Sequence, residues 1–338
     1  MLCLLLCLLV VLMAVTPAQT QDDLVLYSLS YSPDGDYVAG VGNRVVVWDG
    51  ATGEVVANIP ITLQSSIDSL VDADWSPDGN RLVVAGTDRS IRILDFSDDA
   101  QPLGALLTEF EAEILMDVRS VSWGPDGNII AVGGAELSPR IEFWDASTYV
   151  FVRPTAYAIG AKSMAWHPDP ERNLIATTSS DFNGVSLANT AENAPRNDTI
   201  LCRECAPDAI AYPLAWNSTG TLLAIGYTSG DIFIVNSDTS NVAAHMRTGI
   251  GVRGIAWTND DQYVLSMSRA GLQVWDSATG SLLNDPTTIE AGIFALNPVN
   301  NQIFVFYNAS DIGEMVELST LLGPAPLIAA TFTSTQEK

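Results

Sequence analysis

The 338-residue sequence predicts an all-β fold, a seven-bladed β-propeller of four-stranded antiparallel blades. Three observations lead there. An aromatic residue ahead of a tight turn recurs at Tyr31, Trp75, Trp123, Trp166, Trp216 and Trp257, with Leu296 in the same role. The intervals are 44, 48, 43, 50, 41 and 39 residues, and a period in the forties marks one supersecondary unit repeated. Between markers lie short runs such as RLVVAG, NIIAVGG and TLLAIGY. They are rich in β-branched and apolar residues and bounded by turn formers, which reads as strand and excludes a helical array.

Taken in chain order, residues 1–20 come first, MLCLLLCLLVVLMAVTPAQT. Leu2 to Val15 is an apolar run of 14 residues with small and polar residues after it. A bilayer span takes about 20 residues, so the segment reads as an export signal, although no Lys or Arg precedes the run. The mature protein is then expected to be secreted or periplasmic, or membrane-tethered if the segment stays uncleaved, with no other stable span. The propeller is expected over residues 21–333, with a tail at 334–338.

Each unit should open with a hairpin. Pro33-Asp34-Gly35, Pro77-Asp78-Gly79 and Pro125-Asp126-Gly127 follow the first three markers. Proline presets φ near −65°, Asp bonds back to nearby amides, and Gly tolerates positive φ. Asn217 to Gly220, Thr258 to Asp261 and Asn297 to Asn300 replace this chemistry later. A second reversal follows at Trp48-Asp49 to Gly53 and at Trp275-Asp276 to Gly280. In the second unit the strands fall at about 69–75, 81–86, 90–96 and 102–107. Radially stacked sheets bury both faces, which accounts for strands that are apolar on both sides.

Trp48-Asp49, Trp144-Asp145 and Trp275-Asp276, with Leu94-Asp95 as a variant, give the chain a resemblance to the tryptophan–aspartate (WD) repeat propeller family. Asp88 stands where that family places a tight-turn Asp. The resemblance covers about residues 25–318. It fades in units four, five and seven, which end in Leu187-Ala188, Val235-Asn236 and Val316-Glu317. The family's Gly-His dipeptide is missing, so its buried Asp–His–Ser/Thr–Trp network is expected to be absent and packing to hold the blades instead. The resemblance implies a non-catalytic scaffold for a protein or peptide, with no cofactor. A TolB-like propeller with S-P-D-G repeats is the alternative at the level of fold. Family members often close the ring with an N-terminal strand, but Gln21 to Leu26 is too short for one. Pro326 to Phe332 is therefore expected to supply the outer strand of blade seven.

The net charge is −25, with 40 acidic against 15 basic residues. Such a surface repels phosphate backbones, and no basic stripe offsets it, so no nucleic-acid partner is expected. A monomer is expected, and no calcium-loop pattern points to a metal. Loss of the signal would leave Cys202 and Cys205, readable as a local disulfide, a redox pair or half of a metal site. Only His167 and His245 could join them.

Strand order assigns the turns to two faces. Asp34, Asp49, Asp78, Asp126, Asp145 and Asp276 belong to the side of the a–b and c–d turns. The opposite side, of d–a and b–c loops, is mixed, receiving Arg44, Arg89, Arg119, Arg140, Lys162, Arg203, Arg253 and Arg269 beside Glu109, Glu111, Glu113, Asp117, Glu136 and Asp181. Counting back four residues from each marker along the innermost strand gives Tyr27, Val71, Arg119, Lys162, Tyr212, Arg253 and Gly292. Counting back two gives Leu29, Ala73, Val121, Met164, Leu214, Ile255 and Phe294, a column expected to be core. Tyr and Arg suit a docking surface, so Tyr27, Arg119, Lys162, Tyr212 and Arg253 are the candidate partner-binding residues at the channel mouth. The other reading is a hydrolase or lactonase-like propeller with its site at that mouth, yet no nucleophile elbow or metalloprotease motif is present.

Overall fold

The computed structural model describes residues 24–98, 100, 102–114, 117–134, 141–154, 161–179, 184–191, 199–202, 204–286 and 289–322. Seven antiparallel sheets follow one another along the chain, a seven-bladed β-propeller. Their innermost strands are Leu26–Tyr31, Leu70–Trp75, Val118–Trp123, Ser163–Trp166, Ala211–Trp216, Gly254–Trp257 and Ile293–Leu296. Each ends on its expected marker. Each packs beside the next, and the seventh returns to the first to close the ring. No described helix is long and apolar enough to cross a membrane.

Within a blade the strands run a, b, c, d from the axis outward, joined as hairpins. Blade two has Leu70–Trp75, Arg81–Gly86, Ser90–Asp95 and Ala105–Glu111. Its outer strand starts later than expected because Pro102 opens a turn, with the Ala105 N–H donating to the Pro102 carbonyl at 3.0 Å. Blades six and seven show three strands among the described residues. In blade six a bridge pairs Trp275 with Leu282. The Asn284 amide then imitates a fourth strand, accepting from the Val274 N–H at 2.7 Å and donating to the Leu272 carbonyl at 2.9 Å. Residues 326–332, expected at the edge of blade seven, lie outside the described residues, as do the signal segment and the 334–338 tail.

The turn chemistry follows from the residues. Gly35, Gly79 and Gly127 hold φ of 79°, 73° and 77°, a region costly to side chains. Asp261 takes the same place in blade six at φ 58°, as Asp can. The Asp78 carboxylate accepts from the Ser76 hydroxyl and the Asn80 N–H, tying the turn to itself.

The recurring tryptophan has a second use that crosses blades. The indole N–H of Trp75 donates to the Ser30 carbonyl at 3.1 Å, that of Trp216 to Ala165 at 3.0 Å, and that of Trp257 to Ala215 at 3.0 Å. Trp166 reaches Ser122 at 3.4 Å. In each case the acceptor immediately precedes the marker of the blade before.

The expectation that packing alone holds the blades needs correction. Trp275 donates to the Ser266 hydroxyl at 2.9 Å, keeping one link of the family network. In blade two, where Leu94 replaces Trp, Arg92 is buried and its guanidinium meets Asp88 at 2.7 Å and Glu109 at 2.9 Å. A charge so enclosed persists only when paired and hydrogen-bonded, and the Thr62 carbonyl adds a further acceptor at 3.2 Å.

Candidate functional site

Where the seven inner strands begin, their first side chains converge on a cavity of about 220 Å³. All seven residues of the first column line it: Tyr27, Val71, Arg119, Lys162, Tyr212, Arg253 and Gly292. The repeat places them there, since equal offsets along equivalent strands reach equal heights on the ring. The second column packs into the core, and part of it also reaches the channel. Ala73, Val121 and Leu214 are buried, but Leu29, Met164 and Phe294 are half-buried and line the cavity with the first column. Each of these three also packs against an apolar core cluster.

The cations are held differently. Arg119 meets Asp117 at 3.1 Å, both about half exposed. The Lys162 ammonium lies 4.6 Å from the centre of the Tyr212 ring, a cation–π contact. Arg253 anchors its backbone through its N–H to the Met267 carbonyl at 2.8 Å. Its exposed side chain makes no hydrogen bond or ion pair among the described residues. Tyr27 is exposed. Burial pushes the Tyr212 phenol up, the Asp72 charge adds to this, and Arg119 opposes it.

Deeper in the ring lie two aspartates that the sequence reading passed over. The Asp72 carboxylate accepts from Ser28 of blade one at 2.9 Å, and from the Ser120 hydroxyl at 2.9 Å and Val121 N–H at 3.1 Å of blade three. Asp74 accepts from the Ser122 hydroxyl at 2.9 Å and the Trp123 N–H at 2.8 Å. Burial raises both pKa values, that of Asp74 to about 6. These carboxylates cap the exposed inner edge of blade three, whose N–H groups have no strand beyond them. The available signal was Asp-Ala-Asp in a strand expected to be interior, facing Ser-Val-Ser one repeat later.

Of the remaining cations, Arg89 pairs with Glu111, while Arg140 and Arg203 lie outside the described residues. Cys202 and Cys205 form a disulfide, with Cα atoms 5.0 Å apart. Both sulfur-bearing residues pack in the apolar cluster between blades four and five. His167 is buried in its turn. Its Nδ1 accepts from the Asp169 N–H at 3.1 Å, so its Nε2 carries the proton and donates to the Gly220 carbonyl at 3.1 Å. His245 stacks on Phe233 at 4.2 Å and reaches Asp231 at 2.7 Å. The nearby Ser229 hydroxyl donates to Asp231, not to the imidazole. Among the described residues no three His, Cys, Asp or Glu side chains gather as metal ligands.

A family model described as WD domain, G-beta repeat matches residues 13–49 and 61–95. The model for the anaphase-promoting complex subunit 4 WD40 domain matches residues 170–260, across units four and five, whose WD endings have faded. The chain is a WD-repeat β-propeller. A chain from a solved structure, the crystal structure of mitotic checkpoint complex, aligns with this WD-repeat chain at a TM-score of 0.71 and 18% identity. The alignment covers 87% of this chain and 90% of that one, and at such identity the likeness is one of fold. No curated protein matches the WD-repeat chain in sequence.

Proposed function

We propose that this propeller is a non-catalytic, extracytoplasmic interaction scaffold that docks a protein or peptide on the face of its d–a and b–c loops. The supporting observation is the convergence of Tyr27, Arg119, Lys162, Tyr212 and Arg253 on one open cavity at the channel mouth. Aromatic and Arg side chains around a recess supply the anchors that dominate protein interfaces. WD-repeat propellers are typically scaffolds, and the two histidines have structural partners elsewhere, which supports binding over hydrolysis. The extracytoplasmic setting rests on the apolar segment Leu2 to Val15 and on the paired cysteines, which persist in oxidising compartments.

The test is affinity capture from the native extracytoplasmic fraction with wild-type protein and with the triple variant Arg119→Glu, Lys162→Glu, Arg253→Glu. A partner retained by the first and lost by the second, with unfolding unchanged, supports the proposal. A partner retained equally by both overturns the site, and recovery of the native protein only from the cytoplasm overturns the location.

A further inference from the structure

Resting on that reading, we infer that the segment docked at the channel mouth is acidic, a peptide stretch of the partner that inserts a Glu or Asp carboxylate among Arg119, Lys162 and Arg253. Cations are scarce in this chain. The whole chain has 15 basic residues against 40 acidic ones, yet three of those cations line one small cavity. The anions beside them are already committed. Asp117 is paired to Arg119 at 3.1 Å. Asp72 accepts hydrogen bonds from two serines and a backbone N–H. Lys162 is held over Tyr212, which fixes its ammonium without neutralising it. Arg253 projects with no acceptor among the described residues. Charge therefore remains to be answered at this spot.

The size of the recess decides what answers it. A cavity of about 220 Å³ lies below the ~300–1,000 Å³ of pockets that enclose whole small molecules. It accommodates a side chain projecting from a larger body. Half-buried Leu29, Met164 and Phe294 line the lower wall, suited to the methylenes of Glu, while the cations above meet its carboxylate. Exposed Tyr27 at the rim offers a flat face to the flanking backbone. The acidic remainder of the surface repels such a peptide everywhere else, so attraction confined to the mouth also selects the register in which it docks.

The experiment measures fluorescence anisotropy of labelled hexaglutamate, hexaserine and hexalysine on the full protein and on the variant Arg119→Gln, Lys162→Gln, Arg253→Gln. Hexaglutamate is expected to bind wild type better than hexaserine and to lose affinity about tenfold or more in the variant. Hexalysine, drawn to the acidic surface at large, should bind both proteins alike. Should the triple variant fold poorly, Arg253→Gln alone is expected to cost about threefold, since that side chain has no partner to lose. Hexaglutamate affinity equal in wild type and variant overturns the inference. So does free glutarate competing as well as the peptide at equal carboxylate concentration, because the occupant is then not a peptide. If hexaglutamate fails while charge reversal still abolishes partner capture, the acidic occupant is wrong and the scaffold reading stands.

Discussion

The Asn308 side chain grips both backbone groups of Leu26, accepting from its N–H at 2.8 Å and donating to its carbonyl at 2.9 Å. The two residues are 282 positions apart and belong to the seventh and first blades. This pair helps to close the ring, together with Asn297, whose amide donates to the Gly35 carbonyl at 3.3 Å. Replacing Asn308 by Ala removes two hydrogen bonds and is expected to cost about 2 kcal/mol, read from urea unfolding. Asn308 also begins an Asn-Ala-Ser acceptor sequence. A glycan on a trans secondary amide lies on the side of the carbonyl oxygen, where the Leu26 carbonyl already sits. In a glycosylating host, Ser310→Ala is therefore expected to raise the yield of folded protein, and an unchanged yield would count against the pairing.

Asp74 makes stability depend on acid in a particular direction. Its folded pKa is raised from 3.8 to about 6, chiefly by burial. Between these values the folded protein holds a proton that the unfolded chain has released, so stability declines as pH rises through that window. Asp72, raised for the same reason, acts in the same sense. Asp145 acts oppositely: the hydroxyls and N–H groups of Ser147 and Thr148 lower it to about 2, so its contribution fades only in stronger acid. Asp74→Asn cannot ionise. Relative to wild type it should gain up to about 3 kcal/mol between pH 4 and pH 7, measured by denaturant unfolding at several pH values. A constant difference across that range would remove the argument.

The buried Asp88–Arg92 pair invites a double-mutant cycle. Arg92→Met strands the Asp88 carboxylate in the core and should cost about 3–5 kcal/mol, while Asp88→Ala leaves Arg92 paired with Glu109 and should cost less. The double variant is expected to lose less than the two single losses combined, because no ion is then left alone. Full additivity would mean that the two side chains do not depend on each other.

Blade seven shows an outer edge, Ile312–Glu317, with no further strand among the described residues. Pro326 to Phe332 is apolar enough to cover it. Deleting residues 323–338 spares the short helix Leu318–Leu322 and its buried Leu321, and is expected to lower the thermal midpoint by several degrees, about what loss of one edge strand of a large domain costs. An unchanged midpoint would show that the edge is closed in some other way.

The ring was legible in the sequence because its turns are local. Pro-Asp-Gly and the marker aromatics declare themselves within a few residues, and the strand period then fixes every first-column position on the axis. The candidate site inherited that legibility: Arg119 and Lys162 were placed at one height by counting. What escaped was contact between blades. Asp72 meets Ser120 at a separation of 48 residues, and Asn308 meets Leu26 at 282. No periodicity announces which polar side chain will turn toward its neighbour. Arg92 escaped for a related reason, since a single cation within a strand looks solvent-facing until Asp88 and Glu109 enclose it.

The backward reach of the indoles gives the circle a polarity. Trp75, Trp166, Trp216 and Trp257 each latch onto the blade made before them, whereas the Trp123 indole donates to Gly127 in its own turn and blade three is fastened to blade two by Asp72 and Asp74. Leu296 has no such latch. The join between blades six and seven is left to apolar packing and to a bond from the Asn259 N–H to Asn301. Strain applied to the rim by a docked partner would accordingly be released at that joint, while blades one to six, joined by indoles and by the Asp72 and Asp74 carboxylates, turn as one piece.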